Sequence, residues 1–565
     1  MRVQRASGIK FDFEPRLLTE MFDATVARLG AKPAVNFLGR ITSYDELARS
    51  VARAAAGLQA LGVMRGSRVA LCLPNITYYP VLFLATLRAG GIVVNVNPLY
   101  SRHELRRLLA DSGAEIVATC DVPDIHARVS SVAAELGLRH VITCPIAGAL
   151  PRGKSLAYRL FKRREIARMP RDGRHLTYAR LVAGRASATP VTVRPDAAAV
   201  LQYTGGTTGI LQAATLSHAN LVANAEAIVV HQGGERPGQE RVLGVIPLFH
   251  VFALTTVLNF AIRVGGEMIL LPRFDRNLLL QTIERTRPTF FPAVPTIFSV
   301  LSDAARKGPV DLAGCNCVSG GAPLPLKVGP AFEQATGAKL VEGYGLSETS
   351  PIITCNPIDG VNKRGSVGPP FPGTTIEIRD RKDPTQILPA GRNGEICVRG
   401  PQVMKGYWHR PKASAAVRVD GMLRTGDVGH LDKDGYVYIV GRIKDVILSG
   451  GYSVYPRMIE DALYEHPAVA EAVVIGVPDP YRGQVPKAFV TLLPGHPATR
   501  AELHDFLRDR ISKIEFPRDL EIRKTLTKTL AAKLSGRERT GRGRPGQRRD
   551  SRRGDGAARQ AGAPG

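Results

Sequence analysis

Long apolar runs are scarce in this sequence of 565 residues. The best candidate for a membrane span, residues 246–262, is shorter than the roughly 20 residues that a span needs, and it contains His250 and Asn259. We therefore expect this segment to form a buried helix or the wall of a pocket. The amino terminus also lacks the apolar stretch of a secretory signal peptide, which favours a cytoplasmic location.

Cysteine is sparse and scattered, and no pair has the C-x-x-C spacing of a redox or zinc site. No histidine stands at a zinc-like spacing from Cys315 and Cys317. We expect reduced cysteines, in the core or in loops of a cytosolic protein. They are Cys72, Cys120, Cys144, Cys315, Cys317, Cys355 and Cys397.

Acidic residues are few beside the basic ones, 50 against 76, which gives a formal net charge of +26. Such an excess suggests a nucleic-acid-binding protein, but two segments, residues 151–174 and 536–565, are especially basic. Neither interleaves aromatic with basic residues in the manner of a base-stacking surface, and neither has a helix-turn-helix or zinc-finger pattern. We expect no nucleic-acid partner. The segments are interpreted either as a soluble basic surface or as one that attracts anionic lipid or polyanionic cofactors.

Apolar residues alternate between helical and strand spacing in two stretches of the first half of the chain. Repeated strand–helix–strand units predict parallel sheets covered by helices on both faces, here arranged as two α/β layers. The predicted helices are at 47–61, 81–89 and 220–230, and the predicted strands are at 67–73, 92–96, 197–204 and 243–247.

The pattern changes twice in the second half of the chain. Residues 374–399 contain short alternating runs between glycine and proline turns, which are typical of a small antiparallel sheet or barrel. Residues 443–535 predict a separate α+β domain. Its predicted elements are an initial strand, a helix at 456–464, strands at 469–475 and 487–493, and a helix at 500–511.

The predicted fold class is therefore α/β. A large N-terminal domain, residues 1–441, contains two α/β layered subdomains and a small distorted β-barrel. A small α+β C-terminal domain follows at 442–535. We expect the Gly/Arg-rich tail 536–565 to be disordered, because it has almost no large apolar side chain to bury.

A Gly/Thr-rich segment comes directly after the predicted strand 197–204. Its glycines allow the backbone to approach an anion closely, and its hydroxyls can donate hydrogen bonds to phosphate oxygens. It lacks the Gly-Lys-Ser/Thr ending of a Walker loop, and a plain turn is the alternative interpretation. The residues are Thr204, Gly205, Gly206, Thr207, Thr208 and Gly209.

Three further segments carry groups suited to a nucleotide. Glu348 can hold Mg²⁺ that bridges phosphates, and the planar ring of Tyr344 can stack on adenine. Asp427 can accept hydrogen bonds from ribose hydroxyls. Arg442 and Lys444 add cations close to the same nucleotide.

Taken in order, these four segments resemble the motifs of the adenylate-forming superfamily, which contains acyl-CoA synthetases, luciferases and the adenylation domains of peptide synthetases. The resemblance covers about residues 15–535. So many motifs in the right order make chance negligible. Further matches lie at 247–250, 319–323, 406–408, 449–452 and 526–533.

The resemblance implies nucleotide-binding roles for the matching residues. Residues 204–209 would wrap the phosphates, Ser347 would contact the α-phosphate, and Glu348 would bind Mg²⁺. Asp427 and Arg442 would hold the ribose, and Lys444 would lie near a hinge. The adenine site would be lined by Gly320, Gly321, Ala322, Pro323, Glu342, Gly343, Tyr344 and Gly345.

The resemblance also implies a mobile C-terminal domain that serves two half-reactions. Lys533 would contact the substrate carboxylate and the α-phosphate while the acyl-adenylate forms. The domain would then swing, removing Lys533 and presenting Gly450 and Gly451 to the pantetheine of coenzyme A. His250 would stand beside the acyl and thiol path. The implied catalytic residues are Lys533, Glu348 and His250.

The sequence departs from the family pattern at both cationic motifs. Leu211, Gln212 and Ala213 stand where the family has Pro-Lys-Gly, so a donor is kept but a charge is lost. Near Lys533, Thr527 replaces a proline and Ala532 a glycine. These changes are expected to affect catalytic efficiency rather than the fold.

The apolar stretches 247–254 and 294–301 resemble those of the fatty-acid branch, which implies an AMP-forming ligase for medium- to long-chain acids that uses ATP, Mg²⁺ and coenzyme A. The alternatives are an aryl- or dicarboxylate-CoA ligase, a ligase that feeds an acyl carrier protein, and a non-catalytic acyl or nucleotide binder. The expected partners are small molecules. A weak peripheral contact with the anionic inner face of the membrane and a homodimer are further hypotheses.

Overall fold

The computed structural model describes residues 11–184, 187–205, 211–449, 452–480, 482–508, 510–512 and 515–526. Several residues with expected roles therefore lie outside the described residues. These are Gly206, Thr207, Thr208, Gly209, Gly450, Gly451, Thr527, Ala532, Lys533 and the tail 536–565.

Two eight-stranded sheets form the large N-terminal part, as the strand–helix alternation predicts, and both are parallel in their central strands. Sheet A has the strand order Ile352–Cys355, Lys339–Gly345, Asn316–Ser319, Phe290–Ala293, Arg241–Gly244, Glu267–Leu270, Pro33–Phe37 and Arg40–Ser43. Sheet B has the order Gly406–Tyr407, Leu211–Ser217, Ala198–Gly205, Ile92–Asn95, Arg68–Cys72, Ile116–Cys120, His140–Cys144 and His175–Thr177.

Most helices of this part lie between successive strands, and Leu18–Leu29 precedes the first strand. Many begin where the sequence carries a capping residue: Ser43 accepts a hydrogen bond from the backbone N–H of Glu46, and Ser101 does the same for Glu104. The α-helices are Leu18–Leu29, Tyr44–Ala60, Tyr78–Arg88, Arg102–Ser112, Pro123–Glu135, Ile146–Ala149, Arg152–Phe161, Tyr178–Leu181, His218–His231, Val251–Ala253, Phe260–Val264, Arg276–Thr286, Pro295–Ala305, Val328–Thr336 and Pro411–Ala416. Short 3₁₀ turns occur at Arg163–Glu165, Ser347–Thr349 and Ile443–Asp445.

The segment 246–262, predicted to form a buried helix or the wall of a pocket, contains a buried, irregular helix. Val251–Ala253 and Phe260–Val264 are joined by a π-helical turn, Leu254–Asn259. All of these residues except Arg263 are buried. Within the described part of the chain, no helix has the length and apolar content needed to cross a bilayer.

The small sheet of the N-terminal part is antiparallel, as predicted. Sheet C has the strand order Thr375–Arg379, Gly394–Arg399, Met422–Leu431 and Arg418–Val419, and Val437–Arg442 pairs with Met422–Leu431. The last strand ends at Arg442, directly before the 3₁₀ turn that leads into the C-terminal domain.

The C-terminal domain contains its own sheet and its own hydrophobic core. Sheet D has the order Tyr452–Val454, Ile447–Ser449, Gly483–Leu492 and Val469–Asp479, with Asp519–Ile522 parallel to Gly483–Leu492. Its helices are Pro456–Tyr464 and Arg500–Arg508. The strand predicted at 469–475 extends to Asp479, because a long antiparallel pairing continues to a turn at Gly483.

Candidate nucleotide and acyl-activation site

A hairpin in sheet B leads into and out of the Gly/Thr-rich segment. The strands Ala198–Gly205 and Leu211–Ser217 are antiparallel, with Gly205 opposite Leu211 and Thr204 opposite Gln212. The Thr204 Oγ1 donates to the carbonyl of Gln212 over 3.4 Å. The ends of the segment are therefore held together at the carboxyl end of a central strand, where α/β proteins commonly bind ligands.

The second segment runs from a strand of sheet A to this hairpin. Lys339–Gly345 ends just before the 3₁₀ turn Ser347–Thr349, which packs against both strands of the hairpin. Glycine is required at Gly345, because a Cβ there would lie 1.9 Å from the carbonyl oxygen of Pro351. Ser347 and Glu348, both half-buried, are thereby placed beside the strands that flank residues 204–209, the expected phosphate segment.

Tyr407 fixes the carboxylate of Glu348. The Tyr407 hydroxyl donates to Glu348 Oε1 over 2.9 Å, and the backbone N–H of Met404 donates to the Glu348 carbonyl over 2.7 Å. Burial, and then the nearby carboxylate, raise the pKa of Tyr407, so its hydroxyl remains a donor. Sequence placed Tyr407 in a family motif but did not assign it this role.

The expected ribose residues form a hydrogen-bonded chain. The Tyr344 hydroxyl donates to Asp427 Oδ2 over 2.6 Å, and Asp427 Oδ1 lies 3.0 Å from Nε of Arg442. Asp427 and Arg442 are opposite each other on neighbouring strands of sheet C. Burial first, and then Asp427, raise the pKa of Tyr344 well above its ordinary value. Tyr344, whose ring is expected to stack on adenine, is thus hydrogen-bonded to Asp427, the acid that is expected to bind ribose.

The glycine segment of the expected adenine site lies next to the strand that carries Tyr344. Gly320 directly follows Asn316–Ser319, the neighbour of Lys339–Gly345 in sheet A. A Cβ on Gly320 would be 3.1 Å from the ring of Phe252 and 3.5 Å from the carbonyl of Gly343. The loop continues through Gly321, Ala322 and Pro323, none of which is fully buried. Lys444 lies in the 3₁₀ turn Ile443–Asp445, which comes directly after Arg442.

Like Asp427, and unlike the half-buried Glu348, Glu342 is buried. Its Oε1 accepts a hydrogen bond from the backbone N–H of Leu324 over 2.9 Å. Burial raises the pKa of Glu342 to about 7, although Arg457 of the C-terminal domain acts in the opposite direction. Glu342 thus fixes the loop after Gly320 to the strand that carries Tyr344.

His250 lies at the end of a loop whose backbone accepts hydrogen bonds from buried polar side chains. It caps the helix Val251–Ala253, where its Nδ1 accepts from the backbone N–H of Phe252 over 3.3 Å. The Asn75 amide donates to the carbonyls of Gly244 and Ile246, and Gln202 donates to the carbonyl of Phe249. These polar residues gave no signal in the sequence, because they occur singly in apolar segments.

The described residues could hold a divalent cation only with help from a ligand. Among them, no group of three or more His, Cys, Asp or Glu side chains could enclose a metal. Mg²⁺ commonly binds through one or two carboxylates together with substrate phosphates. Glu348, beside the phosphate segment and with one oxygen held by Tyr407, fits this shared arrangement.

Family models match both the N-terminal and the C-terminal part of the chain. Residues 22–408 match the model of the AMP-binding enzyme family, and residues 458–533 match that of the AMP-binding enzyme C-terminal domain. The long-chain-fatty-acid–CoA ligase of Bacillus subtilis is 40% identical over 532 residues, covering 92% of this chain and 93% of the relative. The feruloyl-CoA synthase of an Amycolatopsis species is 34% identical over 503 residues, covering 89% and 94%.

Solved structures show the same architecture. ATP-bound MatB from Rhodopseudomonas palustris matches with a TM-score of 0.80 at 30% identity, over 92% of this chain and 98% of that one. The anthranilate CoA ligase AuaEII, in complex with anthranoyl-AMP, matches with a TM-score of 0.79 at 25% identity, over 94% and 97%. The chain therefore belongs to the AMP-binding enzyme family, the adenylate-forming superfamily, on the branch that contains the long-chain fatty-acid–CoA ligases.

Proposed function

We propose that this protein activates a medium- to long-chain fatty acid with ATP, first to the acyl-adenylate and then to the acyl-CoA thioester. The observation that carries the proposal is the similarity of nearly the whole chain to curated long-chain fatty-acid–CoA ligases. The hydrogen-bonded site adds support, since it brings the expected nucleotide residues together from segments that are far apart in the sequence.

In the first half-reaction, an oxygen of the substrate carboxylate attacks the α-phosphorus of ATP, and the bond to pyrophosphate breaks. Two anions must approach each other, so the site has to supply positive charge and hydrogen-bond donors. We assign Lys533 and the hydroxyl of Ser347 to the α-phosphate, and residues 204–209 to the departing phosphates. Glu348 would hold Mg²⁺ with the phosphates, and the bound ion would neutralise their charge.

The nucleoside part of ATP is assigned to the Tyr344–Asp427–Arg442 chain. Asp427 would accept from the ribose hydroxyls, with Arg442 fixing its orientation from the neighbouring strand. The face of the Tyr344 ring would stack on adenine, beside the segment that begins at Gly320. Lys444, at the connection to the C-terminal domain, belongs to the proposed hinge.

In the second half-reaction, the thiol of coenzyme A attacks the acyl carbonyl and AMP leaves. We assign the thiol path to Gly450 and Gly451, and the junction of the acyl and thiol paths to His250. Phe252 lies against Gly320, so the apolar helix after His250 adjoins the expected adenine segment. The buried segment Leu254–Asn259 and the helix Pro295–Ala305 would wall the acyl path.

A panel of carboxylic acids tests the substrate. Each methylene that enters an apolar tunnel contributes about 0.8 kcal/mol, so kcat/KM for thioester formation should rise with chain length until the tunnel is filled. Acetate should be the poorest straight-chain substrate. Equal or better turnover of acetate would overturn the fatty-acid assignment. Preferred turnover of ferulate would favour an aryl-acid ligase, the second candidate that the feruloyl-CoA synthase relative suggests.

Separate assays of the two half-reactions test the domain swing. Lys533→Ala should slow acyl-adenylate formation by roughly 10²–10³, the usual loss for one preorganised electrostatic contact. Given pre-made acyl-adenylate and coenzyme A, it should form thioester at near the parent rate. Gly451→Leu should do the reverse. Equal damage to both steps in each variant would contradict the swing and support a single fixed site.

Two properties outside the site complete the proposal. We place the enzyme in the cytoplasm, in weak peripheral contact with the anionic inner face of the membrane, and we expect a homodimer. Sedimentation of the purified chain over a concentration series tests whether it forms a homodimer. A mass that stays at 60.9 kDa at all concentrations would show a monomer.

A further inference from the structure

The helix Arg152–Phe161 exposes apolar side chains on the surface of the protein. Leu156 is 61% exposed, Leu160 64% and Phe161 83%. Phe161 is the most exposed of the large apolar residues in the described chain. Tyr158 is the side chain of this helix that packs against the main hydrophobic core, so the helix is anchored by one face only.

The apolar side chains are grouped by the helical repeat. Leu156 and Leu160 are four residues apart, as are Ala157 and Phe161, so these two pairs form adjacent rows on one face. Basic residues border the face at Arg152, Arg159 and Lys154. An apolar face with cationic edges is the pattern of helices that lie in the plane of a bilayer interface. Long basic side chains there extend towards lipid headgroups.

Unpaired positive charge surrounds this helix. Residues 151–174 contain nine Lys or Arg and two acids. Several of the arginines form no side-chain hydrogen bond or ion pair with another residue that the structure describes. They are Arg152, Arg163, Arg164, Arg168 and Arg171. Since they do not serve the fold, their charge is available to a negatively charged partner.

The helix lies on the same edge of sheet B as the phosphate segment. It follows the strand His140–Cys144, whose carboxyl end points the same way as that of Ala198–Gly205. Four strand spacings, about 19 Å, separate the two strand ends. The tip of the Pro33–Phe37 and Arg40–Ser43 hairpin supports the helix, because Lys154 Nζ donates to the carbonyl of Leu38 over 3.0 Å.

We propose that this face, defined by Leu156, Leu160 and Phe161 with the basic residues around it, docks the protein on an anionic lipid bilayer. The apolar side chains enter the headgroup–acyl boundary, and the arginines pair with lipid phosphates. The active-site edge of sheet B then faces the membrane, which is where a water-insoluble acid is available. The inference rests on the membrane contact of the proposed function and assigns it to one face, and docking can be measured without turnover.

A fluorescent probe on the helix tests the contact directly. Every native cysteine is buried, so Leu160→Cys can be labelled selectively with an environment-sensitive dye on the full chain. Met64→Cys is the matched control, because Met64 is 67% exposed and lies before the strand Arg68–Cys72, on the opposite edge of sheet B. Both proteins carry Gln in place of the nine arginines of 536–565, so that the tail does not bind the vesicles.

With vesicles of phosphatidylcholine and phosphatidylglycerol, the emission of the Leu160 probe should shift to the blue and that of the Met64 probe should not. No shift at Leu160, or equal shifts at both positions, would overturn the proposal. Duplex DNA is the third arm of the experiment. A shift with DNA but none with anionic vesicles would show a nucleic-acid site and would also overturn it.

Two sets of substitutions separate the apolar and charged contributions. Leu156→Ser, Leu160→Ser and Phe161→Ser together should weaken vesicle binding by more than about tenfold, since each removes buried apolar surface. Arg163→Gln, Arg164→Gln and Arg168→Gln should weaken it by a similar factor and remove its dependence on phosphatidylglycerol. Turnover of a short, soluble acid should stay at the parent level in both sets, which shows that they fold. Unchanged vesicle binding in both sets would contradict the proposed face.

Discussion

Glu342 and Glu348 lie six residues apart on one segment, yet they differ in burial and in the groups that contact their carboxyls. Glu342 is inside sheet A, 6% exposed, with a backbone N–H on its carboxyl and a pKa raised to about 7 by burial. Glu348 is in a half-buried 3₁₀ turn beside the phosphate segment, with a neutral tyrosine hydroxyl on one oxygen. One carboxyl therefore fastens a loop to a strand, and the other is placed to meet a charged ligand.

The largest expected difference between the two carboxyls is in catalysis. Glu348→Gln removes the proposed Mg²⁺ ligand and should slow acyl-adenylate formation by roughly 10²–10³. Glu342→Gln keeps an acceptor for the N–H of Leu324 and should alter the same rate by only a few-fold. Pyrophosphate release at saturating ATP and Mg²⁺ measures both. Equal losses in the two variants would show that the carboxyls share one role.

The second difference concerns stability against pH. The folded protein holds the Glu342 proton up to a pKa of about 7, whereas the unfolded chain releases it near the ordinary value of 4.5. The folded state therefore binds more protons between these values. The resulting stabilisation is complete below the unfolded pKa, and roughly 3 kcal/mol of it is lost as pH rises through the folded pKa.

Glu342→Gln should remove this pH dependence, since an amide does not titrate. Urea unfolding of the N-terminal part at several pH values between 4.5 and 8 measures the change. Across this window, the free energy of unfolding of the parent should fall relative to that of the variant as pH rises. Parallel curves would indicate that the buried carboxyl has an ordinary pKa.

A smaller effect is expected from the residue that fixes Glu348. Tyr407→Phe removes the hydrogen bond to Glu348 Oε1 and keeps the ring, so the carboxylate loses its orientation and nothing else. Partners of metal ligands typically contribute about 10- to 100-fold to metal affinity. The Mg²⁺ concentration for half-maximal adenylation should rise accordingly, at unchanged protein stability. A loss of rate that added Mg²⁺ does not restore would argue against this role.

The smallest effect is expected at the hairpin beside Glu348. Gln212→Lys restores a cation near the proposed phosphate site and should lower the KM for ATP a few-fold. Ala213→Gly should add no such gain, because Ala213 is buried within the strand, and it should cost about 0.5–1 kcal/mol of stability. Comparing the two single variants with the double variant separates the effect of the added charge from the effect of the backbone change. No gain from Gln212→Lys would mean that the site is adapted to the neutral side chain.

The sequence allowed the local elements to be predicted, because their signals are local. The apolar spacing of residues 47–61 predicted a helix without reference to the rest of the chain, and the observed helix begins three residues earlier, at Tyr44, where Ser43 caps it. The order of strands carried no such signal. Pro33–Phe37 pairs with Glu267–Leu270 through a contact between distant segments that no periodicity encodes.

The same limit applies to the site. Family motifs indicated Tyr344, Asp427 and Arg442 separately, and the structure joins them through hydrogen bonds. The role of Tyr407 could not be predicted, since it depends on a bond to a residue 59 positions away. The burial of Glu342 was equally invisible, because a glutamate in a glycine-rich motif resembles an exposed ligand until its neighbours are known.

The strand pairing of the two large sheets also constrains how the protein is made. Sheet A needs Glu267–Leu270 before its first strand has a parallel partner, and sheet B is complete only once Gly406–Tyr407 joins Leu211–Ser217. During synthesis on the ribosome, early strands therefore lack some of their partner strands until most of the N-terminal part has been made. Sheet D closes among neighbours in the sequence, so the C-terminal domain, although it is synthesised after the N-terminal part, should fold more quickly. We expect chaperones to be needed by the nascent N-terminal part, and to be dispensable for the C-terminal domain.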